Sequence, residues 1–234
     1  MHVYFSGIGG TAIGPLALIA RQAGYEVSGS DKQNSDYINY LKSSGINDIY
    51  IGQQKQQIEA VHTAKPIDWL VYSSAVVIEN PEHAELVFAR QNKIRLSKRD
   101  ELLNEIIFRS NKKLIAIAGT HGKTTTTAMV VWLLKNLGLD PSYSVGAKIS
   151  FGEMGHFSFD SEYFVYECDE YDHNFLAFQP YLSLITGIAY DHHDVFKTES
   201  DYRQAFVRFL NQSRWKVIWN LDFEKLDLTA DNSW

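Results

Sequence analysis

Ala118-Gly119-Thr120-His121-Gly122-Lys123-Thr124-Thr125 lies between an apolar run, Leu114 to Ala118, and an amphipathic stretch, Lys123 to Leu137. The run is of the buried-strand type. The stretch reads as a helix with Ala128, Met129, Trp132, Leu133 and Leu137 on one face, closed by Gly138 with Pro141 just beyond. A strand that passes through small residues into a helix is a phosphate loop in outline. Successive backbone N–H groups can curl around phosphate oxygens, and the helix N-terminus adds the positive end of its dipole. Lys123 can neutralise the outer phosphates of a nucleotide, and the Thr124 hydroxyl can ligate a divalent cation. The spacing is the shorter Gly-x-x-Gly-Lys-Thr form, because Ile117 stands where the common pattern has its first glycine.

The same strand–glycine–helix order occurs at the start of the chain. His2 to Ser6 is a short β-rich run, Gly7-Ile8-Gly9-Gly10-Thr11-Ala12 fits G-x-G-x-x-A, and Pro15 to Gln22 suits a helix closed by Gly24. A second strand, Tyr25 to Asp31, ends on an acidic residue. This is a diphosphate site with an acid for a ribose hydroxyl. NAD is its commonest occupant, a UDP-sugar offers similar groups, and the motif leaves the choice between them open. Further along, Asn39 to Ser43 reads as helix, Asp68 to Tyr72 as a strand ending at Ser73-Ser74, and Pro81 to Gln91 as a helix with Pro81 near its first turn.

Strands alternating with helices predict an α/β chain. A Rossmann-like parallel-sheet domain is expected over residues 1–110 and a P-loop-type α/β domain over 111–234, joined at the polar hinge Asn111-Lys112-Lys113. Later strands are expected at Tyr163–Cys168, Leu182–Ile188 and Lys216–Trp219, with an amphipathic helix from Asp201 to Leu210.

Two polar clusters follow strands in the second half. Glu167-Cys168-Asp169-Glu170-Tyr171-Asp172 places four carboxylates within six residues at a strand's C-terminal end, where parallel sheets bind ligands. Such a cluster needs cations or hydrogen-bond donors to offset its repulsion. Mg²⁺ beside a phosphate loop is one solution, and a solvated acidic loop is another. Ala189-Tyr190-Asp191-His192-His193-Asp194 can hold a metal, bind phosphate or simply line the surface, and no zinc spacing accompanies it. His2, His62, His83, His156 and His173 show no partners in the sequence, and Cys168 reads as a small packing residue.

Composition narrows the function classes. The chain has 22 basic and 28 acidic side chains, a net charge of −6, and 45% apolar residues. It is globular in composition and a poor candidate for nucleic-acid binding. A lone cysteine excludes an intramolecular disulfide. Neither a signal-peptide pattern nor an apolar run of membrane-spanning length is present, so a cytoplasmic protein without a membrane partner is expected.

Taken in order, Gly7–Gly10, Gly29-Ser30-Asp31, Ser73-Ser74-Ala75-Val76, Asn80-Pro81-Glu82, Gly119–Thr125, Glu167–Asp172 and Asp191–Asp194 resemble the Mur ligase family, the ATP-dependent amide-bond ligases of peptidoglycan synthesis. The resemblance implies ATP and Mg²⁺, with ATP held by Gly119, Thr120, His121, Gly122, Lys123, Thr124 and Thr125. It implies catalytic roles for Lys123, Glu167 and His192, with Thr124 and Glu167 on one Mg²⁺ and His192 on a second. A UDP-sugar would be held by Gly7, Gly9, Gly10, Ser30, Asp31, Ser73 and Ser74. The pattern is most like members that join L-alanine to UDP-N-acetylmuramate by phosphorylating the muramate carboxylate and letting the amine attack. It departs from the family at Gln53 (often histidine), Gly187 (usually asparagine) and Tyr171 (commonly serine in alanine-adding members, and similar to the murein-tripeptide-recycling ligases). The resemblance also implies a central domain that is incomplete here and a third domain that is absent. The chain is then expected to bind UDP-N-acetylmuramate and to turn over little ATP by itself. An NAD-dependent dehydrogenase and a non-catalytic UDP-sugar-binding module are the alternatives. The oligomeric state and the amino acid or peptide added are left open.

Overall fold

The computed structural model describes residues 1–226; the end of the second expected domain, 227–234, lies outside the described residues. The chain divides into two compact units, one formed by Met1–Ile106 with Gly155–Phe157, the other by Ile107–Met154 and the residues from Ser158 onward.

The first unit alternates β1 (His2–Ser6), α1 (Ile13–Gln22), β2 (Glu26–Asp31), α2 (Asp36–Ser43), β3 (Ile49–Ile51), α3 (Lys55–Ala64), β4 (Trp69–Tyr72), α4 (Ser74–Glu79), α5 (Ala84–Gln91), β5 (Arg95–Lys98) and α6 (Arg99–Arg109). The strands form a parallel five-stranded sheet in the order β3-β2-β1-β4-β5. Strand order reverses at β1, which makes the crevice beside its C-terminal end the natural ligand site. Tyr4, Leu70, Leu86, Phe88 and Ile58 pack one core cluster. Pro81 falls outside the helix expected to begin there. Asn80 ends α4, and His83 caps α5 by accepting the Glu85 N–H at 3.4 Å.

The second unit contains β6 (Lys113–Ala118), α7 (Lys123–Asn136), β7 (Ser142–Ser144), β9 (Tyr163–Glu167), a 3₁₀ helix (Tyr171–Ala177), β10 (Leu182–Ile185), α8 (Glu199–Asn211), β11 (Trp215–Val217) and α9 (Asn220–Lys225), while the short β8 (Gly155–His156) lies in the segment that belongs to the first. The strands of the second unit run in the order β11-β10-β6-β9-β7 and pair in parallel. The fold is the α/β architecture that the alternating pattern predicts.

Two local expectations fail for identifiable reasons. Helix α7 forms where expected, yet Met129, Trp132, Leu133 and Leu137 are exposed, at 52–66%. The buried side chains are Thr127 and Val131, with Val130 and Leu134 packed partly against the β6–β9 core. Thr124, in the first turn, is held to Glu167 at the end of β9. Positions 124, 127, 131 and 134 face the sheet, and the more apolar stripe turns outward. The Asn111–Lys113 segment is likewise no free hinge. Lys112 is buried and donates to the carbonyls of Ser158 and Ser161, each at 2.6 Å, while Lys113 opens β6 and pairs with Glu162. Burial pushes the Lys112 ammonium below its usual range.

Candidate functional site

In the first unit the expected UDP-sugar residues converge at the C-terminal edge of the sheet. Gly7 turns the chain with φ +83°, and its Cα faces Ser73 so closely that an added Cβ would lie 3.2 Å from Ser73 Cβ. The turn is internally hydrogen-bonded. Gly7 and Ile8 donate to Ser30 O at 2.9 Å, Gly10 donates to Gly7 O at 3.1 Å, and Gly9 donates to Asp31 Oδ2 at 2.8 Å. Asp31 therefore holds the turn's shape. Helix α1 starts without a side-chain cap; its Gly14 N–H donates to Gly10 O at 2.8 Å and Pro15 carries no N–H. Ser73 ends β4 and caps α4 by accepting the Ala75 N–H at 3.4 Å, with Ser74 as the first helical residue. Beneath the turn, buried Glu85 accepts the hydroxyls of Tyr4 (2.7 Å) and Ser6 (2.5 Å), and Gln53 Nε2 donates to Ser6 Oγ at 3.3 Å. Gln53, at the position where histidine is common, is thus a buried part of the scaffold, with φ +50°.

In the second unit the loop between β6 and α7 has the conformation of a phosphate cradle. Gly119 has φ +134° and Gly122, the residue that precedes α7, has φ +81°. Both values favour glycine. No side chain caps α7, so its first N–H groups point out of the loop unshielded. Thr120 is committed elsewhere. Its N–H donates to Gly187 O at 2.9 Å, and its hydroxyl bonds Ala189 O at 2.8 Å, Ala189 N at 2.9 Å and Tyr202 OH at 2.8 Å. Its N–H and its hydroxyl are thus both engaged within the protein. Thr186 pins the other side of the loop through His121 O at 2.5 Å, and the His121 and Thr125 side chains are exposed.

Lys123 Nζ folds over the loop, donating to Gly119 O at 2.7 Å and Glu170 Oε2 at 2.9 Å. Thr124 Oγ1 donates to Glu167 Oε1 at 2.8 Å, and Gly146 N donates to Glu167 Oε2 at 2.7 Å. A Cβ at Gly146 would lie 2.5 Å from Glu167 Oε1, so a larger residue there would push the Glu167 carboxylate aside. Three of the motif's four carboxylates are thus offset by donors. Glu167 takes Thr124 and Gly146, Asp169 takes Tyr171 N at 3.0 Å, and buried Glu170 takes Lys123.

Mg²⁺ fits this donor set. Thr124 Oγ1 and Glu167 lie side by side as hard oxygen donors, the ligand type that Mg²⁺ takes from a protein. Among the described residues there is no group of three or more histidine, cysteine or acidic side chains arranged to cage a metal. His192, with φ +56°, places its Nε2 3.4 Å from Glu170 Oε1. Nearby, the His192 N–H holds the Asp191 carboxyl below its ordinary range. The Tyr171 hydroxyl, 2.8 Å from Asp194 Oδ2, does the same for Asp194.

Residues 2–110 match the Mur ligase family, catalytic domain, and residues 117–233 match the Mur ligase middle domain. The chain belongs to the Mur ligase family. It is 38% identical over 212 residues to a UDP-N-acetylmuramate--L-alanine ligase of Syntrophomonas wolfei, covering 91% of this chain and 43% of that protein. Among solved structures, a UDP-N-acetylmuramate-alanine ligase of Thermotoga maritima superposes with a TM-score of 0.82 at 28% identity, covering 97% of this chain and 51% of that one. A UDP-N-acetylmuramate:L-alanyl-gamma-D-glutamyl-meso-diaminopimelate ligase of Neisseria meningitides gives 0.81 at 25%, covering 96% and 74%. The chain spans about half the length of the curated relatives it matches.

Sequence reasoning missed Gly146, Thr186 and Tyr202, whose partners lie 21 to 82 residues away. Glu170 stood inside the acidic motif, but nothing in its spacing distinguished it from Asp169 or Asp172. The histidines without apparent partners also have them. His2 bonds Ser28 Oγ at 2.7 Å, and His62 accepts the Ile67 N–H at 3.1 Å. Cys168 is buried, as its reading as a packing residue requires. No helix among the described residues is long and apolar enough to cross a membrane.

Proposed function

We propose that the chain supplies the UDP-sugar-binding and ATP-binding units of a cytoplasmic ligase that joins L-alanine to UDP-N-acetylmuramate. The observation that carries this reading is the phosphate loop with Lys123 folded over it and the Thr124–Glu167 oxygen pair beside it. The curated relatives named as alanine ligases support the choice of substrates. In the proposed reaction the muramate carboxylate attacks the γ-phosphorus of ATP and ADP leaves. The amine of L-alanine then displaces phosphate, giving an amide. A free carboxylate is a poor acyl donor, and phosphorylation supplies its leaving group.

Two anions must approach each other in the first step. Lys123 screens that repulsion, and the uncapped start of α7 receives phosphate oxygens. Thr124 and Glu167 would hold Mg²⁺, which when bound neutralises charge on the transferring phosphoryl group. His192, held beside Glu170, is the proposed ligand of a second ion. In the first unit, Gly7, Gly9 and Gly10 with Ser30, Asp31, Ser73 and Ser74 would form the UDP-sugar crevice, and the α1 N-terminus would face the diphosphate. A second reading, transfer of a murein tripeptide, draws support from Tyr171 and its bond to Asp194.

The test is titration of the purified chain with UDP-N-acetylmuramate, UDP and NADH, followed by tryptophan fluorescence. Saturable binding of the two uridine ligands with no response to NADH is expected. Tight NADH binding without uridine binding would contradict the assignment. Offering L-alanine and the tripeptide to a preparation competent for ligation separates the two readings.

A further inference from the structure

Glu170 is fully buried at the start of the 3₁₀ helix, yet none of the roles above requires a carboxylate at this position. Its oxygens receive Lys123 Nζ at 2.9 and 3.2 Å, His192 Nε2 at 3.4 Å and Tyr202 OH at 3.4 Å. These partners come from the first turn of α7, the loop after β10, and α8. Tyr202 passes the connection on to the Thr120 hydroxyl at 2.8 Å, so the phosphate loop is tied to Glu170 at both ends. The Lys123 ammonium divides its donors between Glu170 and the loop carbonyls of Gly119 (2.7 Å) and Thr120 (3.4 Å), which fixes its direction. A buried carboxylate is tolerated only when paired and hydrogen-bonded. Here two of its partners, Lys123 and His192, are groups that the proposed phosphoryl transfer needs.

We propose that Glu170 is a positioning residue, whose single buried charge sets the Lys123 ammonium over the phosphate loop and the His192 ring beside it. The inference rests on the reading of the loop as a nucleotide site. Its contacts do not depend on any ligand, and this allows the two ideas to be tested apart.

Two measurements on the purified chain decide it. In the ¹⁵N-labelled protein without nucleotide, the Lys123 ammonium, assigned with Lys123→Met, should give a slowly exchanging proton signal. Glu170→Gln should abolish that signal while the far-UV spectrum stays unchanged. Should Glu170→Gln fail to fold, Glu170→Asp keeps the charge, withdraws it by one methylene, and should shift the signal and speed its exchange. A Lys123 signal indifferent to whichever variant folds overturns the proposal.

For Mg-ATP affinity, Glu170→Gln and Lys123→Met should each weaken binding about tenfold, and the double variant should be no weaker than Lys123→Met alone, because one residue acts through the other. Additive losses, or tighter binding by Glu170→Gln as expected of a competitor for the lysine, overturn it. If the wild-type chain ignores Mg-ATP while its Lys123 signal still depends on Glu170, the nucleotide reading fails and the positioning contact stands.

Discussion

Replacing Gly119 with alanine puts a methyl group into the tightest part of the phosphate loop. The φ of +134° at Gly119 lies where L-residues are strained by about 1–3 kcal/mol. A Cβ there would lie 2.8 Å from Gly187 O and 3.1 Å from Gly187 N, and would collide with Thr186 Oγ1. Gly187 O already accepts the Thr120 N–H, so it cannot swing aside without breaking the loop. Overpacking adds about 1–3 kcal/mol, for a total of about 2–6 kcal/mol. Gly138 is the internal control. Its φ is +79° but nothing lies within 4 Å of an added Cβ, so Gly138→Ala costs only the left-handed backbone penalty, about 1–2 kcal/mol. At about 4 °C per kcal/mol, calorimetry should show Tm falling by about 8–24 °C for Gly119→Ala and about 4–8 °C for Gly138→Ala. Mg-ATP affinity should fall for the first alone. Equal losses of stability at the two positions would refute the tight loop geometry.

Three further outcomes follow from the packing. Glu85→Ala leaves the buried hydroxyls of Tyr4 and Ser6 without their acceptor and should cost about 2–6 kcal/mol, with Glu85→Gln milder; unchanged urea midpoints would contradict the network. Trp132→Gln on the exposed side of α7 should change stability by less than about 0.5 kcal/mol, whereas Ile117→Ala in the core should cost about 2–5 kcal/mol; the reverse ranking in urea would mean that the helix is rotated. Burial, reinforced by Glu85 and by Glu170 respectively, raises the hydroxyl pKa of Tyr4 and of Tyr202 well above the usual 10.0. The folded state then keeps protons that the unfolded chain releases. Stability should fall above about pH 10.5 by up to about 1.4 kcal/mol per pH unit for each tyrosine. Lys112, lowered by burial, tilts the curve the other way, but only below its ordinary 10.5. A flat profile from about pH 10.5 to 12 would rule out the buried protonated tyrosines.

The parallel sheets and both glycine turns were legible because each strand reads as a short apolar run and each turn as glycine at a fixed offset. What escaped depended on pairing in space. The stripe Met129-Trp132-Leu133-Leu137 carried the stronger apolar pattern, but the side of α7 that meets the sheet is the one with Thr127 and Val131, below the Thr124–Glu167 bond. Lys112 looked like hinge material, and only the carbonyls of Ser158 and Ser161, 46 and 49 residues away, make it an anchor. The Gly119–Thr125 loop could be read because its chemistry is local. Glu170 could not, since its partners Lys123, His192 and Tyr202 are spread over 80 residues of sequence.

The loop's affinity for a triphosphate is the claim on which the rest stands, and calorimetric titration of Mg-ATP into the chain, Lys123→Met and Thr124→Val measures it directly. Saturable binding to the wild type is expected. Lys123→Met should weaken it about tenfold or more, consistent with loss of a charge-assisted contact, and Thr124→Val should remove the dependence on Mg²⁺. Equal Mg-ATP affinity in all three proteins, with folding intact, would contradict the account.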